Sequence, residues 1–447
     1  MTPTPPAGLE TVSVCVPDHY GRLAGKRVAA DRLDAIARSG LDMPDFHLIT
    51  GPQVQPVPGL PATGEHTGFP NDVLWPDMGT FRVLPWDPAS GIVLAEARRR
   101  DGTIIPEAPR AILQRQAERL ARHGLSAWVA SELEFYVYEN SYKQAFQQGY
   151  RGLDPLYHRI GDNDVLVTEF LDQYLRPLRH AMAELGMPAE TTQGEGGSGQ
   201  VELNFPPGEP LATADGHALF KYAAKSIAYR NSRAVTFMAM PDQDQATSGC
   251  HLHISLRDDT GTPCTAQAGT ELSERARRFL AGILTFSPEL TLMHAPLLNS
   301  YRRLQPGGWA PASPTWGYDN RTAMVRVVGS GHSLRMEFRL PGADANPYLA
   351  IAAALAAGIA GLEDDGVELP AQTRGATTQN ATGTAGGTVA VPLDLTEAIE
   401  RFDASKLASQ AFGDGVRGHI AGMARHELAL ARRTVTDWEL RHGFEPA

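Results

Sequence analysis

Between Trp128 and Glu139 (WVASELEFYVYE), β-branched and aromatic residues dominate and polar positions alternate with apolar ones. That run predicts a strand with Val129, Leu133, Phe135 and Val137 on one face and Glu132 and Glu134 on the other. The two-residue period recurs in Gly249–Leu256, where Leu252, Ile254 and Leu256 oppose His251, His253 and Ser255. It recurs again in Leu334–Leu340, where Leu334, Met336, Phe338 and Leu340 oppose Arg335, Glu337 and Arg339. Glu190–Phe205 predicts two short strands around a Gly-rich turn, and glycine lets that turn be tight enough for Glu195 and Glu202 to converge.

Helices are expected at Pro109–Gly124, Thr168–Leu185, Thr213–Arg230, Ser273–His294, Pro347–Leu362, Leu395–Gln410 and Gly415–Arg441. A strand is expected at Val235–Met240, with irregular chain at Asn140–Asp164 and Pro241–Gly249. From Thr11 to about Pro106 short strands, including Phe81–Pro85 and Gly91–Ala97, surround one basic helix near Ala30–Ser39. Gly51–Pro76, dense in proline and glycine, is expected to be an ordered loop. Residues 1–8 are expected to fray, and the Thr/Ala/Gly-rich Gln372–Val389 to form a flexible surface loop. The organisation is α+β: a small β-rich domain over 1–105 and a large second domain over 106–447.

Composition narrows the function class. Hydrophobic content of 42% and charged content of 20% suit a soluble globular protein. A net charge of -11 argues against nucleic acid as partner and for small ligands or metal ions. Three cysteines (Cys15, Cys250, Cys264) make no disulfide framework, and the N-terminus lacks a secretion signal, so a cytoplasmic location is expected. Pro347–Leu362 is too short and too weakly apolar to span a bilayer, so no membrane is expected; it reads as a buried helix with Pro347 in its first turn.

Each charged strand face alone is also explained by a solvated outer surface, and Arg335/Glu337/Arg339 by a self-paired ladder. Together they would line one cavity with Glu132, Glu134, Glu195, Glu202, Glu337 and His251. Five carboxylates and one imidazole cannot stay ionised there without cations. A carboxylate-rich set with one histidine suits Mg²⁺ or Mn²⁺, and six ligands suffice for two to three ions. Arg303, Arg321, Arg326, Arg335 and Arg339 add guanidinium groups, and metal ligands beside arginines meet the needs of phosphoryl transfer.

In order along the chain, Glu132/Glu134, Glu195/Glu202, His251/His253/Ser255, Asn299–Arg303, Arg321/Arg326, Arg335/Glu337/Arg339 and Asn346-Pro347-Tyr348 resemble the motifs of the glutamine synthetase family. The resemblance implies a small N-terminal β-grasp domain, a catalytic α+β domain, and a ring-forming homo-oligomer, such as a dodecamer, with active sites between subunits. It implies ATP as co-substrate and γ-glutamyl phosphate as intermediate. Glu134, Glu195 and Glu202 would hold the metal near glutamate, and Glu132, His251 and Glu337 the metal near the ATP phosphates. Arg303 and Arg339 would bind glutamate, Arg321, Arg326 and Arg335 the phosphates, and His253 and Ser255 would sit by the nucleotide. Arg303, Arg321 and Arg339 are the expected catalytic residues.

The acceptor side departs from ammonia-using members. Their flap glutamate is replaced by Trp309 in Pro306-Gly-Gly-Trp309-Ala-Pro311, and no D-G-S-S stands in Met43–Thr50. Ammonium needs anionic partners to be desolvated and deprotonated, whereas an indole suits an alkyl or cationic amine. Trp309 is therefore an expected substrate contact. The sequence reads as an ATP-dependent glutamate–amine ligase acting on a polyamine, ethanolamine or similar amine. An ammonia-using glutamine synthetase and a non-catalytic nitrogen-sensing relative are the alternatives.

Overall fold

The computed structural model describes residues 8–305, 308–376 and 390–445. The expected frayed start therefore lies almost wholly outside the described residues, as do Pro306 and Gly307 and positions 377–389 of the expected surface loop.

Two sheets organise the chain. The first has strands Thr11–Pro17, Leu23–Ala29, Leu41–Pro44, Asn71–Pro76, Arg82–Leu84 and Asp87–Arg98, with Leu33–Ser39 as its helix. Thr11–Pro17 runs parallel to Asp87–Arg98 at the centre of the sheet, and the remaining pairs are antiparallel. Inward-facing Val12, Val14, Leu74 and Val93 form its core with Leu33, Ile36 and Ile49. Asn71–Pro76 was expected within a loop. It is a strand because Val73 to Pro76 pair with Ala95 to Arg98, and its single proline stands at the strand end.

The second sheet has eight strands, in spatial order Trp316–Tyr318, Val325–Val328, Arg335–Phe338, Cys250–Asp258, Leu125–Tyr138, Gln200–Asn204 and Thr191–Gly194, with Ala234–Thr236 also paired to Leu125–Tyr138. Its apolar face is covered by helices Pro109–Ala121, Val165–Glu184, Pro210–Arg230, Glu274–His294 and Pro347–Glu363 around one core. The fold is thus a small N-terminal sheet domain followed by a large mixed α+β domain. Pro347–Glu363 is buried along nearly its whole length, with Pro347 at its start and the Asn346 side chain capping Tyr348 and Leu349.

Local differences have local causes. The expected strand to Met240 stops at Thr236, and Asn140–Asp164 contains a short helix, Tyr142–Gln147, capped by Ser141. The helix expected over Leu395–Gln410 is two, because Ser405 leaves the helical conformation and caps Lys406–Phe412. The last expected helix breaks after Arg433, and Thr436 opens Asp437–Gly443 with a Thr436/Glu439 capping box. Among the described residues, no helix is long and apolar enough to cross a membrane.

Candidate functional site

Strand register puts the charged residues on one face of the second sheet. Glu132 stands opposite His251 and Asn204, Glu134 opposite Glu202, and Glu337 opposite both His253 and Arg326. Directly paired residues share a face, so five strands deliver their polar sets to one side while the helices cover the other.

His251 and His253 grip one carboxylate between them. His251 Nδ1 lies 2.7 Å from Glu132 Oε1, and His253 Nε2 lies 3.0 Å from Glu132 Oε2. Arg335 Nε–H donates to His253 Nδ1 at 3.1 Å. That nitrogen must then carry the lone pair, which leaves Nε2–H to donate to Glu132. His251 Nε2 lies 3.9 Å from Glu134 Oε1. Glu132, Glu134 and His251 each present a donor atom within 4.8 Å of the other two, as a metal site requires.

The two halves of the cluster differ in charge balance. Glu337, 1% exposed, is paired with Arg326 at 2.9 Å and with Arg339. Burial alone would raise its carboxyl, but the charges of His251 and Arg339 hold it below the ordinary range. Glu132 is likewise held low, because hydrogen bonds from His251 and His253 outweigh burial. Glu195 and Glu202 form no ion pair among the described residues; their side chains accept only from the amides of Gln193 at 3.0 Å and Asn204 at 2.9 Å. Burial and the charge of Glu134 push Glu195 up to about 7. Burial and the charges of Glu132, Glu134 and Glu195 push Glu202 up to about 10. Two uncompensated carboxylates beside Glu134, all hard oxygen donors, fit a divalent cation.

Glu134 is fixed by Gly249, whose N–H donates to Glu134 Oε2 at 2.8 Å. Arg303, 5% exposed, donates to the carbonyls of Leu340 at 2.8 Å and Arg339 at 3.0 Å, which ties the Ser300–Arg303 turn to the end of the Arg335–Phe338 strand. Beside Glu132 opens a cavity of about 420 Å³ lined by His253, Ser255 and Arg335 together with Trp128, Phe205 and Arg257. Arg257 sits 4.3 Å over the Trp128 ring.

The structure therefore brings together Glu132, Glu134, Glu202, His251, His253, Glu337, Arg326, Arg335 and Arg339, with Glu195 close enough to feel Glu134 and Ser255 on the neighbouring cavity wall. It does not draw in two expected residues. Arg321 is exposed on the turn beside Asp319, and Trp309 is 71% exposed. Sequence reading missed Trp128, Asn204 and Phe205. Trp128 shares the two-residue period of Glu132, and Asn204 that of Glu202; Phe205 follows at the strand end, where the period gives no signal.

Residues 106–442 match the family model for the glutamine synthetase catalytic domain. The chain is 41% identical over 455 residues to the γ-glutamylethanolamide synthetase GlnA4 of Streptomyces coelicolor, across 99% of this chain and 96% of that protein. It is 31% identical to a glutamate–isopropylamine ligase of a Pseudomonas species, across 97% and 94% of the two chains. The solved structure of GmaS in complex with ADP superposes with a TM-score of 0.85 at 28% identity, across 98% of this chain and 97% of that one.

Proposed function

Because the chain belongs to the glutamine synthetase family, we propose that it is an ATP-dependent, ADP-forming ligase that joins the γ-carboxyl of glutamate to an organic amine. The observation that carries this reading is the near full-length likeness to two proteins named for γ-glutamyl transfer to ethanolamine and isopropylamine. The family uses ATP and a divalent metal. We assign Mg²⁺ or Mn²⁺, two to three ions per site, to Glu134, Glu195 and Glu202 on the glutamate side and to Glu132, His251 and Glu337 on the phosphate side. When bound, these ions neutralise phosphate oxygens and draw the carboxylates into full ionisation.

The residues then divide the work. The cavity walled by His253, Ser255, Trp128 and Phe205 takes the nucleotide, with Arg335 at its phosphate end. Arg326 and Arg321 supply further positive charge to the phosphates as the γ-phosphoryl passes to the glutamate carboxylate. Arg303 spends two of its five N–H donors on main-chain carbonyls, and with Arg339 it uses the rest to orient glutamate. The amine then attacks the carbonyl carbon of the acyl phosphate, the C–O bond to the phosphoryl group breaks, and inorganic phosphate departs with the proton that the nitrogen gives up. Trp309, exposed within one chain, covers the acceptor side once a neighbouring subunit closes the site.

The family match starts at 106, which supports a boundary between domains 1–105 and 106–447. We further propose a ring-forming homo-oligomer with sites between subunits, and a cytoplasmic location, which the three unpaired cysteines support. The test is phosphate release from Mg²⁺/ATP and glutamate across a panel of amines including ethanolamine, isopropylamine, a polyamine and ammonia. An organic amine is expected to give the highest kcat/KM; ammonia ranking first would overturn the assignment.

A further inference from the structure

A cavity of about 510 Å³, larger than the one beside Glu132, opens where the N-terminal sheet domain meets the helices of the large domain. The turn after strand Thr11–Pro17 supplies Tyr20 and Arg22, helix Pro210–Arg230 supplies Lys221 and Lys225, and helix Asp414–Arg433 supplies Glu427. Phe237 and Asp344 line it beside Lys221. None of the metal ligands or arginines assigned to the catalytic site reaches this cavity.

Its charges are unevenly paired. Lys221 and Lys225 stand one helical turn apart, and both ammonium groups face the same ring, 5.4 and 5.8 Å from the centre of Phe237. Like charges at that spacing repel, and among the described residues neither lysine makes an ion pair. Lys221 donates to the carbonyls of Ala343 at 2.6 Å and Ala345 at 3.2 Å, which fixes its ammonium and leaves a third N–H to offer. Burial, with the like charge of Lys225 adding to it, lowers Lys221 to about 8. The other charges near the lysines are already engaged: Arg22 pairs with Asp18 at 2.7 Å, and Asp344 accepts from the Ser300 hydroxyl at 2.6 Å. Glu427 is not. It is half-buried beside Tyr20, makes no ion pair among the described residues, and is raised by burial.

We propose that this cavity binds a small zwitterion, an ω-amino acid whose carboxylate meets Lys221 and Lys225 and whose ammonium meets Glu427. Its methylene chain lies against Phe237 and Tyr222. The volume falls in the range of small-molecule sites, about 300–1,000 Å³. A simple anion leaves Glu427 without a counter-charge, and a simple amine leaves the two lysines without one. One molecule carrying both charges at its ends satisfies both walls, and each mismatched ligand is rejected by the group it leaves unpaired.

The test uses the full-length chain with Mg²⁺, glutamate and a non-hydrolysable ATP analogue at saturation, so that the catalytic site is filled. The probes are the ω-amino acids from β-alanine to 6-aminohexanoate, each beside the unbranched carboxylate of equal length. Calorimetric titration is expected to find a member of the series that binds once per chain, at least about 10-fold more tightly than its matching carboxylate. Lys225→Gln and Glu427→Gln are each expected to raise its Kd at least about 10-fold while leaving turnover without the probe unchanged. Failure of every ω-amino acid to bind would overturn the proposal, as would a carboxylate that binds equally well. An unchanged Kd in either folded variant would also overturn it, since that places the probe at the acceptor side of the catalytic site. If Glu427→Gln does not fold, the comparison with the carboxylate tests that end of the cavity without a substitution.

Discussion

His251 and Glu132 face each other across the strand pair Leu125–Tyr138 and Cys250–Asp258, with Nδ1 2.7 Å from Oε1. The contact holds both groups in place on the sheet before any ligand arrives. Replacing Glu132 by Gln keeps the shape but leaves one of the two imidazoles facing an amide NH₂ instead of an acceptor, and removes the negative charge. Glu132→Gln is expected to weaken activating Mg²⁺ and lower kcat/KM by at least about 100-fold. A Mg²⁺ titration of ATP turnover checks it; unchanged Mg²⁺ dependence would remove Glu132 from the metal site.

Arg303 is held by two carbonyl acceptors from neighbouring residues, one on each terminal nitrogen of its planar fork. Arg303→Lys retains charge but replaces two spaced donor nitrogens by one, and leaves no fixed fork to orient a carboxylate. The expected result is a KM for glutamate raised about 10–100-fold with the KM for ATP nearly constant. Equal rises in both would mean that the substitution collapses the whole site.

These residues show how far sequence carries and where it stops. Strand faces with a period of two were legible because alternation separates Glu132, His251 and Glu337 from the core residues beside them. Strand Asn71–Pro76 was hidden by the glycine and proline around it, since its pairing partner lies some twenty residues away at Ala95–Arg98. Phe205 was invisible because an aromatic ring in a nucleotide-sized cavity looks, in sequence, like one in a core. The break before Asp437–Gly443 was readable in principle from Thr436-Asp-Trp-Glu439, a capping-box spacing inside a helical run. The charge imbalance at Glu202 was not, because it depends on which carboxylates receive an arginine.

The N-terminal sheet is pinned to the catalytic domain by a buried network. Arg110 donates to Asp215 at 2.7 and 3.0 Å and to Asp77 at 3.0 Å, and the Tyr348 hydroxyl donates to Asp215 at 2.7 Å. Removing the Asp215 carboxylate leaves the buried guanidinium with only the half-exposed Asp77 as its anionic partner. Asp215→Asn is expected to cost about 3–5 kcal/mol and Tyr348→Phe about 1–3 kcal/mol. Urea unfolding followed by tryptophan fluorescence measures both; equal small losses would show that Asp77 alone satisfies Arg110.

Two histidines in the catalytic core are buried as neutral rings. Burial drives His294 down to about 3, and burial with the like charge of Lys221 drives His217 well below its usual value. An unfolded chain protonates both near pH 6.5, so their stabilising contribution is complete above that value. It is lost as pH falls from about 6.5 toward the folded values, at about 1.4 kcal/mol per pH unit for each ring. Glu195 and Glu202, raised to about 7 and about 10, act in the opposite direction unless a cation keeps them ionised. Calorimetry at saturating Mg²⁺ is therefore expected to show Tm dropping between pH 6.5 and 5, with a shallower slope in His294→Gln. A flat profile over that interval contradicts the neutral-ring assignment.

Gly249 meets three site groups at once. Its N–H holds Glu134, and a β-carbon built there would stand 2.7 Å from His251 Nε2 and 2.8 Å from Arg303 Nη2. Both atoms are ends of side chains, so the backbone can keep its course while the two site groups move aside. Gly249→Ala should therefore separate folding from chemistry: stability within about 1 kcal/mol of the parent, but kcat/KM down about 100-fold, because displacements near 1 Å are enough at a positioned reaction centre. Urea midpoints and steady-state kinetics with glutamate and the preferred amine provide the two readings. A protein that unfolds easily yet turns over at the parental rate would make Gly249 a packing residue, and the close approach of His251 and Arg303 around it incidental to catalysis.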